Sequence, residues 1–263
     1  MPKLSPRAAA VVRAKALQRA PARKPVKESL VKSWSFSRYT LYRQCPHKFK
    51  LSVVDKIKEP QNDAMKRGDD IHQSAESYIR ARIARLPEEL KKIAGELKML
   101  RALFKRKTSR MIVEDSWAFT REWTETFTKD WINCWLRIKL DCGHWLDDTT
   151  LVVTDWKSGK FREESCSEYL EQLELYALGA FLMYEFLEEV RPRLVYTDLG
   201  IEYPPADEPI IYTRADLPRL KKEWEKRVKP MFTDKRFAPR PGWYCRFCHF
   251  SSANPARTGL CKF

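Results

Sequence analysis

Three charged side chains lie close together in the middle of the chain, where the residue pattern predicts the ends of two β-strands. Asp155 and Lys157 follow the apolar run Leu151-Val152-Val153-Thr154, and Asp141 ends an earlier run of alternating apolar residues. Two carboxylates offer hard oxygen ligands to a divalent cation, and a lysine adds one fixed positive charge. This combination suits metal-assisted cleavage of a phosphodiester bond.

An Asp-x-Lys tripeptide is common, and a solvated turn after a buried strand would also account for it. The residue pattern around the tripeptide gives additional support for a functional site. Residues Trp135 to Asp141 and Leu151 to Asp155 predict an antiparallel hairpin, with its turn between His144 and Thr150. Such a hairpin brings Asp141 to the Asp155 end of the strands, provided that the pairing register matches the loop length.

Two helices are predicted to flank this hairpin. The first runs from Asn62 to Arg85 and carries His72, with Asp70 and Glu76 as weaker candidates for surface or supporting positions. His72 by itself is as easily explained as a structural histidine. The second helix runs from about Ser167 to Glu188. It carries Gln172 and Tyr176, which are one turn apart and therefore share a face.

The rest of the chain alternates helices with strands, which predicts an α/β domain with a mixed sheet. The N-terminal helix begins with Ser37 as its cap and reaches Cys45. The other predicted helices are Pro87 to Phe104 and Asp216 to Val228, and the other predicted strands are Met111 to Glu114, Ser116 to Phe127, Leu194 to Tyr203 and Ile210 to Tyr212.

The charge of the 263-residue chain favours a polyanionic partner. Fifty Lys and Arg residues against 35 Asp and Glu give a net charge of +15, and nine tryptophans add surfaces on which bases of single-stranded nucleic acid can stack. Residues 1–33 hold nine basic residues and one acid, so +8 of the net charge lies there. This Ala- and Pro-rich stretch is predicted to be a disordered arm that contacts phosphates, with a mitochondrial transit peptide as the alternative.

The remaining composition narrows the class of protein. No apolar run reaches the roughly 20 residues that span a bilayer, and no secretory segment is seen, so a cytoplasmic protein is expected. The sequence has no G-x-x-x-x-G-K-[ST] motif, so no ATPase motor is predicted. Seven cysteines argue against a disulfide framework and for metal ligation by a subset. Cys245 and Cys248 have the C-x-x-C spacing of such ligands, with Cys261 as a third.

Taken together, the motifs resemble the PD-(D/E)XK nuclease superfamily, and most of all its branch of RecB and AddB nuclease domains, iron–sulfur nucleases of CRISPR adaptation and phage exonucleases. That branch combines a helical His, an Asp after a strand, a D/E-x-K followed by Ser/Thr-Gly, and a Q-L-x-x-Y helix. The matching residues, in the same order, are His72, Asp141, Asp155 and Lys157 with Ser158-Gly159, and Gln172 with Tyr176.

The resemblance covers residues 35–263 and implies a restriction-endonuclease-like core, with a central mixed sheet flanked by helices. It divides residues 34–263 into a helical part (34–110), a nuclease core (111–240) and a cysteine-rich end (241–263). Mg²⁺ or Mn²⁺ is the implied cation, and an imidazole among its ligands favours Mn²⁺. Its implied ligands are His72, Asp141, Asp155 and the backbone carbonyl of Trp156.

The resemblance also implies roles for three further residues. Lys157 orients the attacking water or meets the developing negative charge. Gln172 and Tyr176 face the site, where they contact the metal shell or a phosphate. The implied activity is hydrolysis of DNA by a deoxyribonuclease.

A fourth cysteine ligand comes from the resemblance alone. Cys45, which on the residue pattern is a small buried hydrophobe as readily as a ligand, joins Cys245, Cys248 and Cys261 around a [4Fe-4S] cluster that ties the two ends of the domain together. Twelve residues separate Cys248 from Cys261, a longer gap than in most relatives. Zn²⁺ is the alternative, with His47 or His249 as a substitute ligand. Cys134, Cys142 and Cys166 are predicted to be ordinary thiols.

The function predicted from the sequence is a metal-dependent DNA exonuclease that acts on DNA ends or single strands, in phage or bacterial recombination and repair. A helicase or recombination protein is a possible separate partner. The alternatives are an endonuclease, a nuclease subunit of a larger complex, and a non-catalytic nucleic-acid-binding protein on the same fold. The complete set of Asp141, Asp155 and Lys157 argues against the last of these.

Overall fold

The computed structural model of the chain describes residues 29–106, 110–254 and 258–263. The first 28 residues of the predicted basic arm therefore lie outside the described residues. Residues 29–33, the last five of the predicted arm, pack on the domain. Val31 is buried, and the Ser29 hydroxyl donates to the carbonyl of Phe232 at 2.8 Å. Packing of the domain thus begins about five residues before the predicted boundary.

Six α-helices occur in the described residues, with short 3₁₀ and π segments between them. Helix α1 is capped by Ser35 and not by the predicted Ser37, because the Ser35 hydroxyl accepts from the Arg38 N–H at 3.4 Å. The helices are α1 (Phe36–Gln44), α2 (Pro46–Phe49), α3 (Asp63–Ile79), α4 (Ala94–Lys105), α5 (Cys166–Met183) and α6 (Leu217–Thr233). A π-helical turn spans Lys50–Val54, and 3₁₀ turns span Glu88–Ile93, Glu163–Ser165, Arg214–Asp216 and Trp243–Phe247.

Seven strands form one mixed sheet in the described part of the chain, in the order β2-β1-β3-β4-β5-β6, with β7 also paired to β5. All neighbours are antiparallel except β4 and β5, which are parallel and connected through α5. The strands are β1 (Met111–Phe119), β2 (Glu125–Thr126), β3 (Leu136–Trp145), β4 (Thr150–Lys157), β5 (Glu189–Tyr196), β6 (Ile201–Tyr203) and β7 (Tyr212–Thr213).

Helices cover both faces of this sheet. Helices α1, α5 and α6 pack on one face around Trp34, Trp117 and Trp224, and α3 and α4 pack on the other around Trp156 and Cys142. The predicted fold, a mixed sheet flanked by helices, is confirmed. Among the described residues, no helix has the length and apolar character needed to span a bilayer.

Several predicted boundaries were wrong, each for a local reason. Strand β3 does not end on Asp141 but continues to Trp145, so the hairpin turn is shorter than predicted. Helix α5 ends at Met183, where Arg214 donates to the carbonyls of Phe181, Tyr184 and Leu187. The predicted strand from Leu194 to Tyr203 is two strands, β5 and β6, because the chain reverses at Gly200, whose φ is +70°.

Candidate active site

The candidate site lies where strands β3 and β4 separate. The two strands pair from Cys142 opposite Thr154 to Trp145 opposite Leu151, and continuing that register places Asp141 opposite Asp155. At Asp141 a side chain replaces the backbone partner, since its Oδ2 accepts from the Trp156 N–H at 2.8 Å. The predicted antiparallel hairpin is therefore present, and its register brings the two aspartates together.

The strand pattern itself changes at this point. Leu140 packs on the α5 face of the sheet but Cys142 packs on the α3 face, so the two-residue alternation of β3 is broken at Asp141. The neighbouring strand β1 has a matching break. Val113 and Trp117 lie on opposite faces, and Glu114 between them has a φ of +46°, a conformation that costs energy for any residue with a side chain.

These two irregularities bring an acidic residue from each strand toward His72 of α3. The ligand atoms of His72, Glu114 and Asp141 all lie within 4.8 Å of one another. His72 Nδ1 is 3.0 Å from Asp141 Oδ1 and 3.7 Å from Glu114 Oε1. Lys139 Nζ contacts the other carboxylate oxygen of Glu114 at 2.9 Å. Glu114 was missed in the sequence analysis, where it appears only as the acid that directly follows the apolar run Met111 to Val113.

Asp155 is held from the opposite face of the sheet by α5. Its Oδ1 accepts hydrogen bonds from Tyr176 Oη and, at 3.1 Å, from Gln172 Nε2. Lys157 Nζ lies 2.7 Å from its Oδ2 in a contact between charges rather than a hydrogen bond. Gln172 and Tyr176 face the site from α5. They contact Asp155, and Tyr176 is buried.

The buried charges of the site shift one another's pKa values. Burial and the charge of Asp155 raise the pKa of Asp141. Burial lowers the pKa of His72, but its interactions with the carboxylates of Asp141 and Glu114 outweigh this and raise the pKa to about 10. Burial raises the pKa of Glu114, whereas His72 and Lys139 lower it by more. The site therefore brings three carboxylates, those of Glu114, Asp141 and Asp155, together with three basic groups, those of His72, Lys139 and Lys157.

The turn after Lys157 is fixed to helix α3. The Gly159 N–H donates to Asp198 Oδ2 at 2.8 Å, and Arg67 of α3 binds both carboxylate oxygens of Asp198. Gly159 has a φ of +103°, which a residue with a side chain rarely adopts. Lys157 and His72, which come from distant parts of the sequence, thus belong to one connected framework.

The two weaker candidates lie apart from the site. Glu76 Oε1 accepts from Arg80 Nε at 2.8 Å and contacts Arg82 at 3.2 Å, so its carboxylate is engaged in ion pairs. Asp70 is exposed on α3. Neither residue contributes an atom to the cluster of His72, Glu114 and Asp141.

The four cysteines proposed as ligands line one recess between the start and the end of the domain. Cys45 lies at the end of α1, and Cys245, Cys248 and Cys261 come from the C-terminal segment. His47 also lines the recess, whereas His249 packs its ring against Phe250. The C-terminal segment is tied to α1 by hydrogen bonds from Tyr244 Oη to the Gln44 carbonyl, at 2.9 Å, and from Arg240 to the Arg43 carbonyl.

The other three cysteines are separate from this recess. Cys134 and Cys142 are buried in the domain, and Cys166 is partly exposed at the start of α5. None of the cysteines is paired in a disulfide. Burial raises the pKa of the Cys142 thiol, so it is a neutral core group.

A family model for the PD-(D/E)XK nuclease superfamily matches residues 33–253 of this chain. The match includes the site residues His72, Glu114, Asp141, Asp155 and Lys157, together with the whole sheet. The chain therefore belongs to the PD-(D/E)XK nuclease superfamily, as its sequence motifs indicated.

Two solved structures are similar to this chain. One is the protein SSO0001, with 15% identity over 89% of this chain and 90% of the other, and a TM-score of 0.40. The second is a protein from Eubacterium rectale, described as a candidate exonuclease, with 9% identity over 86% of this chain and 93% of the other, and a TM-score of 0.45. No curated protein matches the sequence.

Proposed function

We propose that this nuclease is a metal-dependent DNA exonuclease whose active site is formed where β3 and β4 separate. The observation that carries the proposal is the convergence of His72, Glu114 and Asp141 within 4.8 Å of one another, with Asp155 and Lys157 beside them. The charge of Asp155 acts on both Asp141 and His72, so the aspartates and the imidazole form one electrostatic unit.

The side chains present fit a hard divalent cation. Glu114 Oε1 is a buried oxygen with no hydrogen-bond partner among the described residues, and oxygens of this kind suit Mg²⁺ or Mn²⁺. In the proposal His72, Glu114, Asp141, Asp155 and the Trp156 carbonyl hold the cation. When bound, such a cation lowers the pKa of water and stabilises negative charge on a phosphate.

The protein's own groups prepare this chemistry. Gln172 and Tyr176 hold Asp155 in one orientation, and their hydrogen bond to each other, at 2.9 Å, fixes both donors. Lys157 Nζ stands 2.7 Å from Asp155, where it orients a water molecule or meets charge that develops on the phosphate. Gln172 and Tyr176 are therefore positioning residues in this proposal, and Lys157 is a catalytic residue.

DNA is the proposed substrate because the chain carries a net charge of +15 and its superfamily consists of nucleases. The sequence motifs support the further proposal that the enzyme cuts at DNA ends or in single strands. They also support a role in phage or bacterial recombination or repair. We further propose a cytoplasmic location and a separate helicase partner. An endonuclease, or a nuclease subunit of a larger complex, is the alternative that the same site would serve.

The test is a digestion panel with linear and circular single-stranded DNA and 5′- or 3′-labelled duplex DNA, each with Mg²⁺, Mn²⁺ or chelator. An exonuclease degrades the linear molecules from an end and leaves the circles intact. Cleavage of circles would identify an endonuclease instead. Asp141→Asn serves as the blank for contaminating nucleases. Wild-type protein that cuts none of these substrates with either metal, yet binds DNA, would be a non-catalytic binding protein.

The cysteine recess supports a second proposal, in which Cys45, Cys245, Cys248 and Cys261 hold a [4Fe-4S] cluster. Four thiolates that bind one Zn²⁺ at about 2.3 Å lie about 3.8 Å apart. A [4Fe-4S] cluster uses the same four ligands but binds each thiolate to a different iron. The resemblance to the iron–sulfur branch of the superfamily supports the cluster over a single zinc ion.

Anaerobic purification tests the cluster directly. A brown protein with broad visible absorption, four irons and four sulfides per chain is the expected result. A colourless protein that contains stoichiometric zinc would show that the alternative is correct.

A further inference from the structure

Two arginines near the start of the domain lie side by side, and neither has an acidic partner among the described residues. Arg38 Nη1 and Arg137 Nη1 both donate to the Ser33 hydroxyl, at 2.8 Å and 3.0 Å. Their other partners are the carbonyls of Ser33 and Thr128. Neither arginine forms an ion pair with any residue of the described ranges, and their Nη2 groups donate to no protein partner there. Two adjacent guanidinium groups with neutral partners favour binding of an anion.

An exposed tryptophan lies against this pair. The Arg137 guanidinium sits 5.3 Å from the ring centroid of Trp131, whose side chain is 75% exposed. The turn that carries Trp131 is held by Asp130, whose carboxylate accepts from Thr126 Oγ1 at 2.8 Å and from the Asn133 N–H at 2.9 Å. A large ring in a fixed turn, with one face on a cation and the other open to solvent, is suited to stacking on a base.

This surface is continuous with the candidate active site. Arg137 and Lys139 lie two residues apart on β3 and therefore on the same face, and Lys139 contacts Glu114. Arg137 precedes Asp141 by four residues, which is about 13 Å along a strand. At the 3.4 Å rise of a stacked strand this distance corresponds to about four nucleotides, and to fewer if the strand is extended.

We propose that Arg38, Arg137 and Trp131 form a subsite for one nucleotide of a DNA single strand, a few nucleotides from the bond that is cut. The arginines bind its phosphate, and Trp131 stacks on its base. The only carboxylate within the turn, that of Asp130, accepts internal hydrogen bonds, and the two guanidinium groups outnumber its single negative charge. The inference rests on the proposed function, because it takes DNA as the substrate.

The experiment measures affinity for a fluorescent single-stranded oligonucleotide by anisotropy, in Ca²⁺ so that the strand stays intact. Trp131→Leu is expected to weaken binding by about ten-fold or more, the size of one lost stacking contact. Arg38→Gln is expected to lower the slope of log affinity against log salt by about one. The matched control is Trp243→Leu, because Trp243 is also highly exposed, at 67%, but lies on the cysteine-rich segment.

Oligonucleotides with a single abasic site at successive positions refine the test. Wild-type protein is expected to lose affinity when the abasic site falls a few nucleotides from the cleaved bond, and Trp131→Leu is expected not to respond there. Hydrolysis of bis(p-nitrophenyl) phosphate, a diester without a base, is expected to stay at the wild-type rate in Trp131→Leu.

Three results would overturn the subsite. The first is equal weakening by Trp131→Leu and Trp243→Leu. The second is unchanged affinity in Trp131→Leu. The third is a change only in self-association, measured by light scattering, which would make Trp131 part of a protein interface. Wild-type protein that neither binds nor cuts any oligonucleotide would instead end the proposed function itself, so the two failures are distinct.

Discussion

The candidate active site and the cysteine recess are both potential metal centres, but they are built in different ways. In the active site each ligand is already held by a neighbour: His72 by Asp141, Glu114 by Lys139, and Asp155 by Gln172 and Tyr176. These contacts assemble the site from protein groups alone. Its geometry therefore does not depend on a bound cation.

The cysteine recess is held mainly by backbone hydrogen bonds, such as that from the Cys261 N–H to the Phe250 carbonyl at 2.7 Å, and by little apolar core. Its C-terminal part holds a single short 3₁₀ turn, and two of its largest apolar residues, Trp243 and Phe247, are each 67% exposed. Phe250 is the fully buried residue of this segment. A segment with so little core of its own needs a covalent or metal link to stay folded. Loss of metal from the candidate active site should therefore abolish catalysis and leave the fold intact. Loss of metal from the cysteine recess should lower the free energy of unfolding.

Asp155→Asn gives the largest effect and tests the first half of this comparison. The amide keeps the shape but removes the charge, so DNA hydrolysis is expected to fall by about a thousand-fold or more. The melting temperature is expected to stay within a few degrees of the wild type. A large drop in melting temperature would show that the active site is also a structural centre, and calorimetry beside single-turnover kinetics separates the two results.

Cys45→Ser tests the second half. The variant is expected to lose bound metal and about 3 kcal/mol or more of unfolding free energy, because the metal link between α1 and the C-terminal segment is gone. Cys166→Ser is the matched control, since Cys166 is a partly exposed thiol outside the recess. Equal loss of stability in both variants, measured by urea unfolding under anaerobic conditions, would contradict a structural role for the recess.

Acid pH tests a contribution to the unfolding free energy that comes from a buried histidine of the sheet and from neither metal centre. Burial, and then the charge of Arg193, lower the pKa of His144 on β3 to about 4, from an ordinary value of 6.5. The unfolded chain therefore binds the proton more tightly, so stability is lost as the pH falls from 6.5 to about 4. The expected loss is up to about 3 kcal/mol.

His144→Gln, which cannot be protonated, is expected to flatten the pH dependence of the unfolding free energy in this window. Urea unfolding at a series of pH values measures it. A variant with the same slope as the wild type would show that other groups cause the acid sensitivity.

Glu114→Gln has the smallest expected effect. It tests how much Glu114, the residue that the sequence analysis missed, contributes to metal binding at the candidate active site. Loss of one charged ligand is expected to weaken Mn²⁺ binding by about ten- to a hundred-fold, with the fold intact. The neighbouring Asp115→Asn is the control, because the Asp115 carboxylate bonds the Ser116 N–H and not the metal site. Titration calorimetry with Mn²⁺ compares the two, and equal affinities would exclude Glu114 as a ligand.

The sequence was sufficient to predict the fold class and the residues that come together, because both depend on local patterns. Alternating apolar residues predicted β3 and β4, and their pairing placed Asp141 beside Asp155. One-turn spacing placed Gln172 and Tyr176 on one face of α5. These are consequences of strand and helix periodicity, which a sequence displays directly.

Glu114 was missed because its position results from tertiary structure. Its left-handed backbone and the paired breaks in β1 and β3 exist only when both strands are held in the sheet, and no local propensity predicts them for an acid. The shared partner of Gln172 and Tyr176 was not predicted, for a similar reason. Spacing showed that they share a face, but only the packing of α5 on β4 shows that Asp155 is their partner.

The hydrogen bond from the Trp156 N–H to the Asp141 carboxylate makes one backbone amide a reporter on the site. Most amides in the sheet donate to a carbonyl, whose charge does not change. This one donates to a group whose electron density depends on whatever else it binds. The amide resonance of Trp156 in a ¹H–¹⁵N spectrum should therefore move when a diamagnetic cation such as Mg²⁺ is added. Its position then reports metal occupancy without a substrate or a turnover.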